Sequence, residues 1–177
     1  THLRYPLIYG PRQLIPMEWR VMRRVLDGRK QIVLPDDGHI LFSRGYAVNM
    51  AHAVLLAVDN VEASGGKIYN VADIHQFTLG QWVEVIADAM DAKLEIVGIP
   101  GDYAYPAREL VIGRTEMTHQ LFDIFALRAD LGYIDIVPPI KGLAETVRWY
   151  QKNPPRMDAE FEEDLEANYK TEDALVK

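Results

Sequence analysis

From its first residues the chain alternates short apolar runs with longer segments in which apolar side chains recur every three or four positions. Leu3 to Tyr9, "LRYPLIY", predicts a strand that Pro11 ends. Ile15, Trp19, Met22 and Leu26 then recur at helical spacing, so a helix with one apolar face is expected, closed by Gly28 as its C-terminal cap. "QIVLPDDGHILF" predicts two short strands around an Asp-Asp-Gly-His turn in which Gly38 supplies a positive φ. Asn49 is placed to cap the next helix, and "MAHAVLLAV" is apolar nearly all round, which predicts a buried helix.

"GGKIYNVAD" reads as a turn followed by a strand. In "TLGQWVEVIADAM", Thr78 and Gln81 have capping-box spacing, and Val83, Ile86 and Met90 form the expected inner face. "KLEIVGI" alternates like a strand with one wet face. A loop rich in Pro, Gly and Tyr follows at 100 to 113 and is a candidate binding rim. "ALRADLGY" predicts a short helix stopped by Gly132. "PPIKGLAETVRWYQKNPP" predicts a longer one with Leu143, Val147 and Tyr150 inside. This order of elements implies an α/β domain with parallel strands and a helix-rich addition.

Charge changes the picture at one end. The net charge is -7, and Arg156 to Lys177 holds eight acidic against three basic residues. The segments before it are near neutral, and the chain divides into 1–155 and an acidic helical tail, 156–177. In the tail Phe161, Leu165 and Tyr169 stand four apart, so a thin apolar stripe docks while the carboxylates stay solvated. The absence of a basic stripe argues against nucleic acid as a partner. There is no cysteine, which excludes disulfides, zinc-thiolate sites and thiol catalysis and fits a reducing, cytoplasmic setting. No apolar run approaches the roughly 20 residues that span a bilayer, and no membrane role is expected.

Candidate chemistry is sparse. His2, His39, His52, His75 and His119 show no metal-ligand spacing, and His52 is expected to be a hydrogen-bonded core residue. Asp36 and Asp37 precede a turn glycine, where a turn role is far commoner than acid-base work. No Gly-x-Ser-x-Gly elbow occurs. The residues alone give an α/β domain with no catalytic constellation and no metal site.

Four blocks carry more information together than singly: "RYPLIYGPRQ", "SRGYAVNMAHAV", "GKIYNVAD" followed by "FTLGQWVEVIADAM", and "LRADLGYIDIVPPIKGLAETVRWYQKNPP". Their order and spacing resemble the C-terminal half of extended short-chain dehydrogenases/reductases, the NAD-dependent epimerase/dehydratase family. The resemblance runs to Pro155. It implies the last parallel strands of a Rossmann-like sheet plus a helix-rich substrate-binding region. The glycine-rich pyrophosphate turn and the catalytic Tyr-x-x-x-Lys would belong to an upstream half. Neither motif is present here: no tyrosine has a lysine four residues on, and Gly98 and Gly101 lead into a proline-rich loop.

By that resemblance NAD or NADP is the implied cofactor, and Tyr5, Pro6, Leu7 and Ile8 match the stretch that lines the nicotinamide pocket. Arg44 matches an arginine that binds the phosphates of a nucleotide-sugar, a task suited to a guanidinium fork. Tyr9, Arg12 and Gln13 lie at the strand end where such sheets gather ligands, and Tyr103 and Arg108 in the loop are further substrate-side candidates. Asn49 replaces an aspartate of the family pattern. Asp123 is kept, but Ile124, Phe125 and Ala126 replace polar residues, which opens the alternative of an apolar or smaller substrate. No residue here is assigned to catalysis. The expected roles are the substrate-binding half of a truncated gene product, a stand-alone noncatalytic module, or one subunit of a split enzyme. In the first case an exposed strand edge predicts self-association through Leu3 to Ile8.

Overall fold

Pro6 divides the first apolar run. In the computed structural model, which describes residues 1–111 and 118–177, the strand expected over Leu3 to Tyr9 is two strands, β1 (His2–Arg4) and β2 (Leu7–Tyr9). Proline has no N–H to give a continuous ladder, and the two pieces choose different neighbours. Then follow α1 (Met17–Leu26), β3 (Gln31–Pro35), β4 (Arg44–Tyr46), α2 (Ala47–Asp59), the single turn α3 (Val61–Ser64), β5 (Ile68–Asn70), α4 (Leu79–Asp88) and β6 (Glu95–Ile99). The helices α5 (Phe125–Leu131), α6 (Pro139–Lys152) and α7 (Ala159–Leu175) complete the order. The Pro/Gly/Tyr loop contains two 3₁₀ segments, Gly101–Tyr103 and Tyr105–Val111; Ile112 and Gly113 of that loop lie outside the described residues.

All three strand pairs are parallel: β1 with β5, β2 with β4, and β3 with β6. The hairpin expected over "QIVLPDDGHILF" does not form. Ile32, Val33 and Leu34 are all buried, as in a strand covered on both faces, and β3 takes its partner from β6 far along the chain. After it Asp36, Asp37 and Gly38 all have positive φ and turn the backbone away, so Leu41 and Phe42 meet Thr78 and Gln120 instead. Gly38 has the positive φ expected of it.

Local signals read correctly. Thr78 Oγ1 accepts from the Gln81 N–H while Gln81 Oε1 accepts from the Thr78 N–H, a complete capping box. Gly28 and Gly132 follow α1 and α5 in the left-handed region. Pro139 is the first residue of α6, whose Leu143, Val147 and Tyr150 join the main core.

Three expectations about side chains need correction. Of the face expected for α1, Trp19 and Met22 are buried, but Ile15, which lies ahead of the helix, and Leu26 are exposed, and Glu18 and Arg24 are buried in their place. Asn49 does not cap α2; it sits inside the first turn and bonds Asp73 and Val137. Nor is α2 buried all round: Met50, Ala53 and Ala57 pack inward, whereas Val54, Leu55 and Val58 are exposed. His52 is half-buried, with its ring 6.1 Å from that of Tyr133.

The tail helix docks by its stripe. Phe161 and Leu165 enter the main core and Tyr169 packs at its margin, while Asp158 caps the helix by accepting from the Phe161 N–H. Beyond the stripe, Glu172 is also buried, paired with Arg24 of α1 at 2.7 Å.

Candidate functional site

The parallel register of β2 and β4 places Leu7 opposite Arg44 and Tyr9 opposite Tyr46. Beside the start of these strands lies an open pocket of about 230 Å³. Tyr5, Pro6 and Leu7 form one wall, Leu110 and Val111 another, and Phe42 and Arg44 contribute to its lining. The side chain of Arg44 is unusual in its burial. Its guanidinium lies 4.6 Å from the Trp82 ring centroid and 5.7 Å from that of Phe42. Nε and Nη1 are buried and have no hydrogen-bond partner. Burial lowers its pKa to about 10, opposed by the charge of nearby Glu18.

Buried donors without partners carry a desolvation cost that an acceptor would remove. Backbone contacts fix the position. The Arg44 N–H donates to Gln76 Oε1 at 2.8 Å, and its carbonyl accepts from the Asp73 N–H at 3.0 Å.

Behind Arg44 stands a hub on Asp73. Its carboxylate accepts from the Tyr9 hydroxyl at 2.9 Å, from Asn49 Nδ2 at 2.8 Å and from the Tyr46 N–H at 3.0 Å. Asn49 also bridges to Val137 in both directions, and the Tyr46 hydroxyl donates to Glu145. The hub therefore joins β2, β4, α2 and the segment leading into α6. Burial raises the Tyr9 pKa well beyond its usual value, so Tyr9 is a fixed donor rather than a base. Tyr46 rises to about 12, first through burial and then through Glu145.

Asp73 itself is pushed up to about 6, because burial outweighs the hydrogen bonds that favour its charge. With the folded-state pKa above the 3.8 of the free group, the native state holds the extra proton between the two values. Stability from this group is full below about pH 4 and is lost as pH rises through about 6. The stability advantage of wild type over Asp73→Asn is expected to shrink by on the order of 2–3 kcal/mol across that window. Urea denaturation at both ends checks this, and an advantage that grows with pH would refute it.

Of the residues singled out from the sequence, Tyr5, Pro6, Leu7 and Arg44 share the pocket. Ile8 does not line it and is partly exposed. Tyr9 is buried behind it, on Asp73. Arg12 is exposed in the turn after β2 with a positive φ. Tyr103 is exposed, and Arg108 lies 4.4 Å from the Tyr105 ring centroid with its Nε buried and unpartnered. From that loop it is Leu110 and Val111 that reach the pocket.

Sequence reasoning left out Glu18, Asp73 and Trp82. An acidic residue in a helix's first turn reads as ordinary dipole complementarity, so nothing marked Glu18. Asp73 closes "GKIYNVAD", a block that carried the family resemblance, and that was its one available signal. Among the described residues no group of three His, Asp or Glu could hold a metal ion, and no helix is long and apolar enough to cross a membrane.

No family model matches the chain, and no curated protein matches it. Solved structures do. UDP-glucose 4-epimerase from Thermotoga maritima with UDP-glucose superposes with a TM-score of 0.63 at 21% identity, over 86% of this chain and 46% of that one. UDP-glucuronic acid 4-epimerase from Bacillus cereus with UDP-glucuronic acid and NAD gives a TM-score of 0.65 at 16% identity, over 85% and 45%. The dTDP-glucose 4,6-dehydratase from Bacillus anthracis with NAD gives 0.59 at 21%, over 86% and 44%. The chain spans less than half the length of these structures. Its parallel strand pairs and the helices between them thus share the Rossmann-like fold of a little under half of these epimerase and dehydratase structures.

Proposed function

We propose that the chain is the substrate-binding half of an NAD(P)-dependent sugar-nucleotide epimerase, dehydratase or related reductase, and that Arg44 holds the anionic part of the substrate. One observation carries this reading: Arg44, buried and with two nitrogens that lack any hydrogen-bond partner, contributes to the lining of a pocket walled by the Tyr5-Pro6-Leu7 segment. The neighbours' nucleotide-sugars supply the matching chemistry. UDP-glucose titrated calorimetrically into the purified chain is expected to bind, and Arg44→Met to weaken it about 10- to 100-fold, the loss of one or two charge-assisted hydrogen bonds. Equal affinity of wild type and a folded Arg44→Met would refute the assignment.

The residues fit a nicotinamide cofactor only on one side. Tyr5, Pro6 and Leu7 offer an apolar wall, but no glycine-rich strand-to-helix turn is present to receive a pyrophosphate. When bound, the cofactor would supply hydride transfer. This chain's residues would hold the substrate and shield it from water, and Tyr9 and Asp73 would hold the strands in register behind it.

A dinucleotide-binding half is the occupant that suits the uncovered surfaces. Among the described residues β1 pairs on one side only, with β5, and α2 presents Val54, Leu55 and Val58 to solvent, a patch that a further sheet and helix layer would bury. Without that half a second copy covers them. Sedimentation of the isolated chain is expected to show concentration-dependent association that Leu55→Glu with Val58→Glu reduces; a strictly monomeric wild type would refute it.

A further inference from the structure

Glu18 has no part in the reading so far, yet it lies where that reading is decided. It stands in the first turn of α1 and is 1% exposed. One carboxylate oxygen accepts from the Gln13 amide. The other, Oε1, is buried with no partner, as are Nε and Nη1 of Arg44, Nε1 of Trp82 and the hydroxyl of Tyr150. Four separate elements thus carry buried polar atoms that are left without hydrogen-bond partners, which folded proteins seldom tolerate without a reason.

The groups that act on Glu18 can be named. Arg44 of β4 supplies the positive charge, Gln13 is a neutral donor, and the Trp82 indole of α4 stands close by. Tyr9 of β2 and Tyr150 of α6 feel the Glu18 charge in turn. Tyr9 is already committed to Asp73 at 2.9 Å, and Asp135 also bears on it. No ion pair within bonding distance joins Glu18 to Arg44. Glu18 and Arg44 stand apart, with donors and acceptor left open.

We infer that Glu18 sets the charge this pocket accepts: an anion that binds Arg44 enters together with one proton, which the Glu18 carboxylate takes from solvent. The inference rests on the anion reading of Arg44. An arriving phosphate group pairs with the free N–H groups and places a second negative charge near a carboxylate that has lost its counter-charge in a low-dielectric interior. Neutralising Glu18 removes the repulsion, and the new O–H gains acceptors among the open polar atoms. Burial already drives the Glu18 pKa upward against the pull of Arg44. Glu18 is a positioning residue here: it acts on the ligand through Arg44 and the local field.

The test is calorimetric titration of UDP-glucose, whose phosphodiester groups do not titrate near neutrality, at several pH values in buffers of different ionisation enthalpy. Wild type is expected to take up about one proton per ligand and to lose affinity up to tenfold per pH unit on the alkaline side. Glu18→Gln, which keeps the hydrogen bond to Gln13, should bind at least tenfold tighter at high pH, with no proton uptake and a flat profile. Binding without proton uptake in wild type overturns the inference and leaves the anion site standing. Absence of UDP-glucose binding at every pH overturns the site, and the inference falls with it.

Discussion

Replacing Glu172 with alanine is expected to destabilise the protein by about 3–5 kcal/mol, the penalty for stranding a buried charge. Glu172 Oε1 accepts from Arg24 Nε at 3.0 Å and Nη2 at 2.7 Å, and Oε2 faces Arg29 at 3.3 Å. Arg24 is 0% exposed and Glu172 1%. With the carboxylate gone, the guanidinium keeps the Arg20 carbonyl at 2.9 Å, a distant Glu109 oxygen at 3.6 Å and the Tyr169 ring at 5.5 Å. For a domain of this size that loss lowers Tm by about 6–20 °C. The double variant Arg24→Met with Glu172→Leu should recover most of it, because apolar side chains of similar volume often replace a buried pair at little cost. Thermal and urea denaturation of the three variants decides the matter; a double variant as unstable as the single would show that packing, not charge, sets the cost.

The effect should reach the pocket. Glu109, which pairs with Arg20, directly precedes Leu110 and Val111 of the pocket wall. The tail helix, through Glu172, Arg24 and Glu109, thus braces one side of the ligand space from behind.

A second large effect is expected at Gly38. Its φ is +72°, and a Cβ there would lie 2.7 Å from the Gly80 backbone nitrogen and 2.9 Å from a Leu34 methyl. Gly38→Ala combines left-handed strain of about 1–2 kcal/mol with overpacking of about 1–3 kcal/mol. Gly28 supplies the control. Its φ is +76° and nothing lies within 4 Å of a Cβ built on it, so Gly28→Ala should cost only the strain. Equal losses at the two sites, measured by urea denaturation, would contradict the close-approach argument. Because Gly80 belongs to α4, which carries Trp82, movement at Gly38 should also loosen the ring on which Arg44 rests and weaken UDP-glucose binding.

What could be read from the sequence divides by range. The Thr78 capping box, the Gly28 and Gly132 stops, Pro139 at the head of α6 and the Phe161–Leu165 stripe depend on residues within one or two turns, and they were legible. The break at Pro6, the parallel partner of β3 and the inward turn of Asn49 depend on segments far along the chain, and local pattern pointed elsewhere. Charge was the hardest to read. Glu18, Arg24 and Glu172 look like ordinary solvated helix residues, and only their distant partners explain their burial. For the site, the family resemblance marked Arg44 and Tyr5 to Leu7. It gave no sign that Arg44 would lie buried against Trp82 with Glu18 near it.

The parallel pairing carries a kinetic consequence. His2 waits for Ile68, Leu7 for Arg44 and Gln31 for Glu95, so no strand can zip onto its neighbour through a tight turn. Each ladder requires the ends of a long loop to meet first, an entropy loss incurred before any pairing rewards it. Helices such as α4 and α6, with their own start signals, can form early, while the strands remain unpaired and able to capture strands of other chains. Refolding should therefore be slow and sensitive to protein concentration, and dilution or a prompt partner for the β1 edge should raise its yield.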